Sequence, residues 1–224
     1  MGKPLSLNEI LAVLDDLRST RDLNRYFLAT GADAFTGGQF ELLGGGGDRP
    51  ETANVVTAED LVAVGLLSVR IHPRTVLDLL QGRLGEQVSA ELSGIPVDVD
   101  LGTEAATRLI TDGGHAVEAW RLLRHTDDTG WVTAGKLLAR KRPRLVPVYD
   151  RVVRCAYRTG AGFWEWLHGK LQEDGGTLVE RLDALHAEVG LPPAVQRIRV
   201  LDVVFWMRHH GEHLAARCPG LRLP

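Results

Sequence analysis

The spacing of apolar residues constrains the fold of this chain more than any other feature of its sequence. Ser6-Leu7-Asn8-Glu9 matches a helix capping box, and Ile10, Leu11 and Leu14 follow Leu7 in steps of three and four residues. We therefore predict a mainly α-helical, multi-helix bundle. The same helical spacing recurs over residues 61–68, 73–80, 115–125, 132–139, 163–171, 177–189 and 193–213.

The helical spacing weakens between residues 35 and 56, where four consecutive glycines (Gly44 to Gly47) follow a short apolar stretch. This pattern predicts a small β element with a flexible tip. No Lys-Ser/Thr pair follows the glycines, so they indicate a loop rather than a phosphate cradle. We predict one domain over residues 1–224, with a helical/β part over roughly 1–100 and a helical core over roughly 101–224.

The composition favours an ordinary globular protein. Of the 224 residues, 44% are hydrophobic and 25% are charged, and two are cysteines. No apolar run approaches the roughly 18 residues that a membrane span needs. We expect a cytoplasmic protein with reduced thiols, no membrane association and no cofactor.

The segment "KLLARKRPRLVPVYDRVVR" (136–154) holds seven basic residues and one acid, in a chain whose net charge is −3. A one-sided basic patch in an acidic chain is typical of a phosphate-rich partner, and arginine grips phosphate with two hydrogen bonds. We predict nucleic-acid binding, to DNA in preference to RNA. A protein partner and a merely solvated face are the alternatives. The predicted contacts are Lys136, Arg140, Lys141, Arg142, Arg144, Arg151, Arg154 and Arg158.

Asp150, the lone acid of this segment, has two interpretations. It follows Pro147 and precedes an apolar stripe, so it suits the N-cap of a helix. It is also a candidate catalytic carboxylate among cations.

A resemblance supports the second interpretation. Gly130-Trp131-Val132-Thr133-Ala134, then Val146-Pro147-Val148, then Asp150, Arg154 and Gly160, resemble the core of the helix-hairpin-helix DNA glycosylases. In that family a hairpin leads into a helix, and the catalytic aspartate lies 17 residues after the hairpin threonine, as Asp150 lies after Thr133. The resemblance covers about 30 residues.

The resemblance implies a mechanism in which a carboxylate stabilises the positive charge of an oxocarbenium-like sugar and orients a water. Asp150 is the catalytic candidate, and Trp131 and Tyr149 are the candidates for stacking on a flipped base, although each suits the core as well. The chain also departs from the family: the register slips by one residue after Asp150, and the four-cysteine iron–sulfur loop of some members is absent. Asp128 replaces the first hairpin glycine, and Val132 replaces the lysine of bifunctional members, which excludes lyase chemistry at that residue.

The chain also resembles an uncharacterised family of actinobacterial proteins, which lends no activity. The shared segments are Phe40-Glu41 before the glycine run, "TAEDLVAVGLLSV" (57–69), "KLLARKRPRLVPVYDRVV" (136–153) and "RVLDVVFWM" (199–207). A non-catalytic scaffold or a small-molecule-binding protein, with Asp150 as a cap, is the alternative function.

"RHHGEH" (208–213) sets His209 and His213 four residues apart, a spacing that can hold zinc. Cys218 and Glu212 are close in the sequence, but no fixed third ligand is evident, so we predict no metal site and leave the His209/His210/His213 cluster open. Cys155 lies among apolar residues, which predicts a buried thiol rather than a reactive one.

Overall fold

The structure is a computed structural model that describes residues 3–126 and 129–214. It is mainly helical, as the apolar spacing predicts. A π-helical turn, Asn24–Leu28, continues the second helix. The α-helices are α1 (Leu7–Asp15), α2 (Arg18–Leu23), α3 (Ala58–Gly65), α4 (Pro73–Gln81), α5 (Arg83–Ser93), α6 (Glu104–Ile110), α7 (His115–Arg124), α8 (Trp131–Lys141), α9 (Arg151–Tyr157), α10 (Phe163–Gln172), α11 (Thr177–Val189) and α12 (Arg197–Leu214).

The helix starts follow the local sequence. The backbone N–H of Ser6 donates to Glu9 Oε2 at 2.7 Å while the Ser6 hydroxyl accepts from the Glu9 N–H, which completes the predicted capping box. Thr57 and Asp60 form a second box at the start of α3. Pro73 occupies the first turn of α4, where its missing N–H is not needed.

The predicted β element near residues 35–56 is wrong. Within the described ranges the segment forms 3₁₀ turns, Thr36–Gln39 and Leu43–Gly45, followed by hydrogen-bonded turns up to Val55. The physical reason lies in its carbonyl groups. Several accept hydrogen bonds from basic side chains of α8 and the residue that follows it, rather than from a neighbouring strand.

One hydrophobic cluster runs from Leu5 to Met207 and includes side chains from both predicted parts of the chain. The helix α12 lies at its centre, since Val200, Leu201 and Phe205 are almost completely buried. This helix packs against α9 and α11, while α3 packs against α8 and α5 against α7.

The helices α7 and α8 form a packed pair at the place of the predicted hairpin. Asp127 and Asp128, in the loop between them, lie outside the described residues. The relationship to the glycosylase fold therefore stays a prediction. Across the residues described, no helix combines the length and apolar character needed to cross a bilayer.

Gly47, which follows the 3₁₀ turn Leu43–Gly45, lies against the end of α8. A Cβ atom at this residue would lie 2.3 Å from the carbonyl oxygen of Arg140 and 2.8 Å from its Cγ. Backbone atoms on both sides leave little room to adjust, so the contact requires glycine.

We therefore expect Gly47→Ala to lower the free energy of unfolding by about 1–3 kcal/mol, as overpacking does. Gly169→Ala is the matched control. Gly169 lies inside α10 with no atom within 4 Å of a built Cβ, so that change should stabilise by about 0.5–1 kcal/mol. Urea denaturation of the two variants measures both effects, and equal effects would contradict the close contact.

Candidate functional site

Four of the predicted phosphate-binding residues lie inside the protein. Lys136, Arg140, Lys141 and Arg142 each expose 5% or less of their surface. Lys136 lies in the middle of α8, and the other three lie at its end, and all four side chains donate to groups in the N-terminal half of the chain.

Asp60 is the counter-ion of this group. Its Oδ1 lies 3.1 Å from Nε of Arg140, and its Oδ2 accepts from Nζ of Lys141 at 2.8 Å. The same guanidinium donates to the carbonyl oxygen of Glu41 at 3.0 Å, and Lys141 donates to that of Thr52 at 2.8 Å. One buried carboxylate and several carbonyl oxygens therefore satisfy two cations.

Arg142 is satisfied without a carboxylate in contact. Its guanidinium donates to the carbonyl oxygens of Ile95 and Ala53, both at 2.7 Å, and to Oδ1 of Asn54 at 2.6 Å. Burial lowers the pKa of Arg142 to about 10. Burial also lowers the pKa of Lys141.

The expected surface patch is thus wrong for these four residues, because their charges satisfy internal carbonyl groups and Asp60. Arg144 is partly exposed, but it forms a two-armed ion pair with Asp100, at 2.7 Å for the shorter contact. A phosphate would have to displace this carboxylate.

The remaining predicted cations lie at the surface or near it. Arg151 and Arg154 are exposed and belong to α9. Arg158 is half-buried, and it is the C-cap of α9, where it takes a left-handed conformation with φ 57°.

Two cavities open near the start of α9. The first, which we call the cleft, has a volume of about 470 Å³. Its walls come from the π-helical turn after α2, the loop after α3, and from α8, α9 and α12. The residues that line it include Tyr26, Leu67, Trp131, Lys136, Asp150, Arg151, Arg199, Asp202 and Trp206.

Asp150 caps α9 and also lines the cleft. Its Oδ1 accepts hydrogen bonds from the backbone N–H groups of Val152 and Val153, at 2.9 and 3.0 Å, so it is the N-cap of α9. Its Oδ2 lies 3.8 Å from Nζ of Lys136 at the wall of the cleft.

Lys136 is held between Asp150 and a turn. Its Nζ donates to the carbonyl oxygen of Leu67 at 2.9 Å, and burial lowers the pKa of this amine. The next residue, Ser68, has φ 59°, a conformation that residues other than glycine seldom adopt. The lysine therefore fixes a strained turn that forms part of the cleft wall.

The floor of the cleft is a buried charge cluster on α12. Arg199 contacts Glu41 Oε1 at 2.6 Å, Asp202 Oδ1 at 2.5 Å and the Tyr26 hydroxyl at 2.9 Å. Burial raises the pKa of Asp202 to about 8, and burial also raises the pKa of Glu41. Two carboxyl groups thus share one guanidinium, and the cluster retains a proton at neutral pH.

The second cavity, which we call the aromatic pocket, has a volume of about 510 Å³. Trp131 lines both cavities. Its ring lies 5.4 Å from that of Tyr149, which stacks on Phe163 at 3.9 Å. The guanidinium of Arg154 lies 5.8 Å from the Trp131 ring centre. Both predicted base-stacking residues therefore meet at this pocket. Trp120, Arg124 and Trp164 line the same pocket.

The other candidates from the sequence are also placed by the structure. Cys155, predicted to be buried, is half-buried. His209 is fully buried, and His213 follows one turn later on α12.

Sequence reasoning missed the floor of the cleft. Arg199 and Asp202 occur three residues apart in the otherwise apolar run "RVLDVVFWM", and a charged pair inside a buried helix is itself a signal. Their partner Glu41 is 158 residues away from Arg199, so no local pattern connects them.

Because the cations that pair with Asp60 are buried, neutralising Asp60 should lower the stability more than neutralising the partly exposed Asp100. Asp60→Asn keeps the shape of the side chain but leaves Arg140 and Lys141 without a counter-ion. We expect a loss of about 3–5 kcal/mol in the free energy of unfolding. Asp100→Asn, which breaks a partly exposed pair with Arg144, should cost about 0–1 kcal/mol. Urea titrations of both variants test this, and a small loss for Asp60→Asn would contradict the assigned network.

The raised pKa of Asp202 predicts a pH-dependent stability. The unfolded carboxyl titrates near 3.8 and the folded one near 8, so between these values the folded chain holds an extra proton. This contribution therefore falls as pH rises, by up to about 1.4 kcal/mol per pH unit. We expect the wild type to lose more stability than Asp202→Asn between pH 6 and pH 9. Parallel stability curves for the two proteins would show that Asp202 is ionised throughout.

The comparisons with known proteins bear on the whole cleft. The profile of a family of unknown function (DUF6308) matches residues 19–209, a range that contains all the cleft residues named above. No curated protein and no solved structure matches the chain. The predicted membership of an uncharacterised family is confirmed at this level, whereas the actinobacterial origin stays a prediction. Because the match spans most of its 224 residues, the chain belongs to this family of unknown function.

Proposed function

We propose that this protein hydrolyses an N-glycosidic bond of a nucleotide unit, with DNA as the first substrate class to test. The observation that carries the proposal is the position of Asp150. One of its oxygens caps α9, and the carboxylate lines the cleft within 3.8 Å of Lys136. The helix amides therefore hold the group in one orientation beside an open cavity.

The chemistry needs a fixed negative charge and a proton. As the base leaves with the bond electrons, positive charge develops on the sugar, and the Asp150 carboxylate stabilises it. A water then attacks the sugar carbon and gives its proton to Asp202, which has become a carboxylate by protonating the leaving nucleobase. Asp202, which lines the same cleft and carries a pKa of about 8, supplies the proton that the leaving base requires.

The surroundings provide contacts for a nucleotide. Trp131 borders both cavities and offers a ring face on which a flipped base can stack. Arg151 at the cleft and Arg154 at the aromatic pocket are exposed cations that can contact phosphate. Phosphate contacts by these two arginines do not require any of the four buried basic residues.

The decisive variant is Asp150→Asn, because asparagine caps helices about as well as aspartate and removes only the charge. We expect wild type to release free base from oligonucleotides with deaminated, alkylated or oxidised bases, and Asp150→Asn to be slower by at least about 100-fold. Mass spectrometry of the released base measures this, and circular dichroism checks that the variant folds. Equal rates, or no release from any substrate, would contradict the proposal.

The number of exposed cations also sets the salt dependence of DNA binding. With two exposed arginines, the logarithm of the affinity should fall with the logarithm of salt with a slope of about −2, against about −7 for the eight predicted contacts. Fluorescence anisotropy of labelled duplex and single strands gives the slope. Arg142→Lys, which changes a buried cation, should not alter the slope, whereas Arg151→Ala should reduce it.

The burial of four predicted cations favours a second candidate, a protein that binds a small nucleoside-like ligand without acting on a polymer. Both cavities, of about 470 and 510 Å³, match the size of small-ligand sites. Calorimetry with free nucleosides and nucleotides separates the two candidates, because only this one binds them without binding DNA.

A further inference from the structure

Beyond the proposed hydrolysis, we infer that Cys155, His209 and His213 form a zinc site that joins α9 to α12. The ligand atoms of these three residues all lie within 4.8 Å of one another. Cys155 comes from α9 and the two histidines come from successive turns of α12. The sequence showed only the histidine pair, because its third member is more than fifty positions away.

The chemistry of the three ligands selects the metal. One thiolate and two imidazoles form a set that binds Zn²⁺ in tetrahedral geometry, with bonds of about 2.3 Å to sulfur and about 2.0 Å to nitrogen. Such a site brings its ligand atoms to about 3.3–3.5 Å from one another. The three ligand atoms already lie within 4.8 Å of one another, so they need to approach by at most about 1.5 Å.

The surroundings fit a bound cation. His209 is fully buried, and the two histidine rings lie 5.6 Å apart at an angle of 61°. Nδ1 of His213 is buried and has no hydrogen-bond partner within the ranges that the structure describes. Glu212 lies next to His213 in the chain, so a carboxylate is near the cluster. A water or Glu212 completes the fourth position.

The site lies on the same helix pair as the cleft. Cys155 follows Asp150 by five residues on α9, a rise of about 8 Å, and His209 follows Asp202 by seven residues on α12, a rise of about 11 Å. The Tyr157 ring of α9 and the Phe205 ring of α12 also stack, with their centres 4.4 Å apart. Zinc would therefore fix the two helices that carry the cleft carboxyl groups, at a distance from the cleft itself.

The first experiment measures zinc in the full chain, purified without a histidine tag and reconstituted with zinc chloride. We expect one zinc per chain in the wild type, and an increase in Tm on zinc addition that a chelator reverses. Cobalt substitution should give a thiolate-to-cobalt charge-transfer band. Failure to retain zinc after reconstitution, or a cobalt complex without that band, would overturn the proposal.

Single substitutions test each assigned ligand. Cys155→Ser should abolish the charge-transfer band, and His213→Gln, near the end of the described helix, should weaken zinc binding by more than the 10–100-fold cost of losing an outer-shell partner. Cys218→Ser is the matched control, because Cys218 is the other cysteine of the chain and is not one of the assigned ligands, and this variant should keep both zinc and the band. If Cys218→Ser loses the metal while Cys155→Ser retains it, the assigned site is wrong.

Discussion

The buried pairing of Arg140 and Lys141 with Asp60 is the interaction on which the rest of the structure depends. It joins the end of α8 to the start of α3. Beside this pair, Arg142 donates hydrogen bonds to carbonyl oxygens of the turns that precede α3 and of α5. Buried cations are costly unless every donor is satisfied, so the irregular segment is needed as a source of acceptors. The segment without regular structure therefore supplies the carbonyl acceptors that the buried cations of α8 require.

This arrangement explains why charge alone misled the sequence analysis. A run of lysine and arginine usually indicates a surface that attracts phosphate, and only the apolar residues between them hinted at burial. Whether a cation faces water depends on where carboxylates and carbonyl groups lie in space. Asp60 is 80 residues from Arg140, and Glu41 is 158 from Arg199. Local periodicity predicted the helices and their caps, because those depend on neighbours within four residues.

The segments selected from the sequence contact one another through side chains. Glu41 contacts Arg199, Leu67 accepts a hydrogen bond from Lys136, and Asp60 pairs with the basic residues of α8. Asp150 was identified from its order in the chain; the structure makes it the N-cap of α9 and places its second oxygen 3.8 Å from Nζ of Lys136, whereas its catalytic role stays a prediction. The proton-holding cluster was missed because its raised pKa arises from burial, which no local pattern reports.

The position of α12 connects these sites. Its buried face carries Arg199 and Asp202 at the cleft, then Phe205 in the core, then His209 at the cysteine of α9. A helix that is polar at two levels and apolar between them can hold α9 in only one register, because a shift by one turn would place a charge against the core. The N-cap carboxylate of α9 is therefore positioned by contacts on α12 as well as by its own helix amides. That arrangement gives the cleft a fixed geometry although part of its wall consists of single turns and loops.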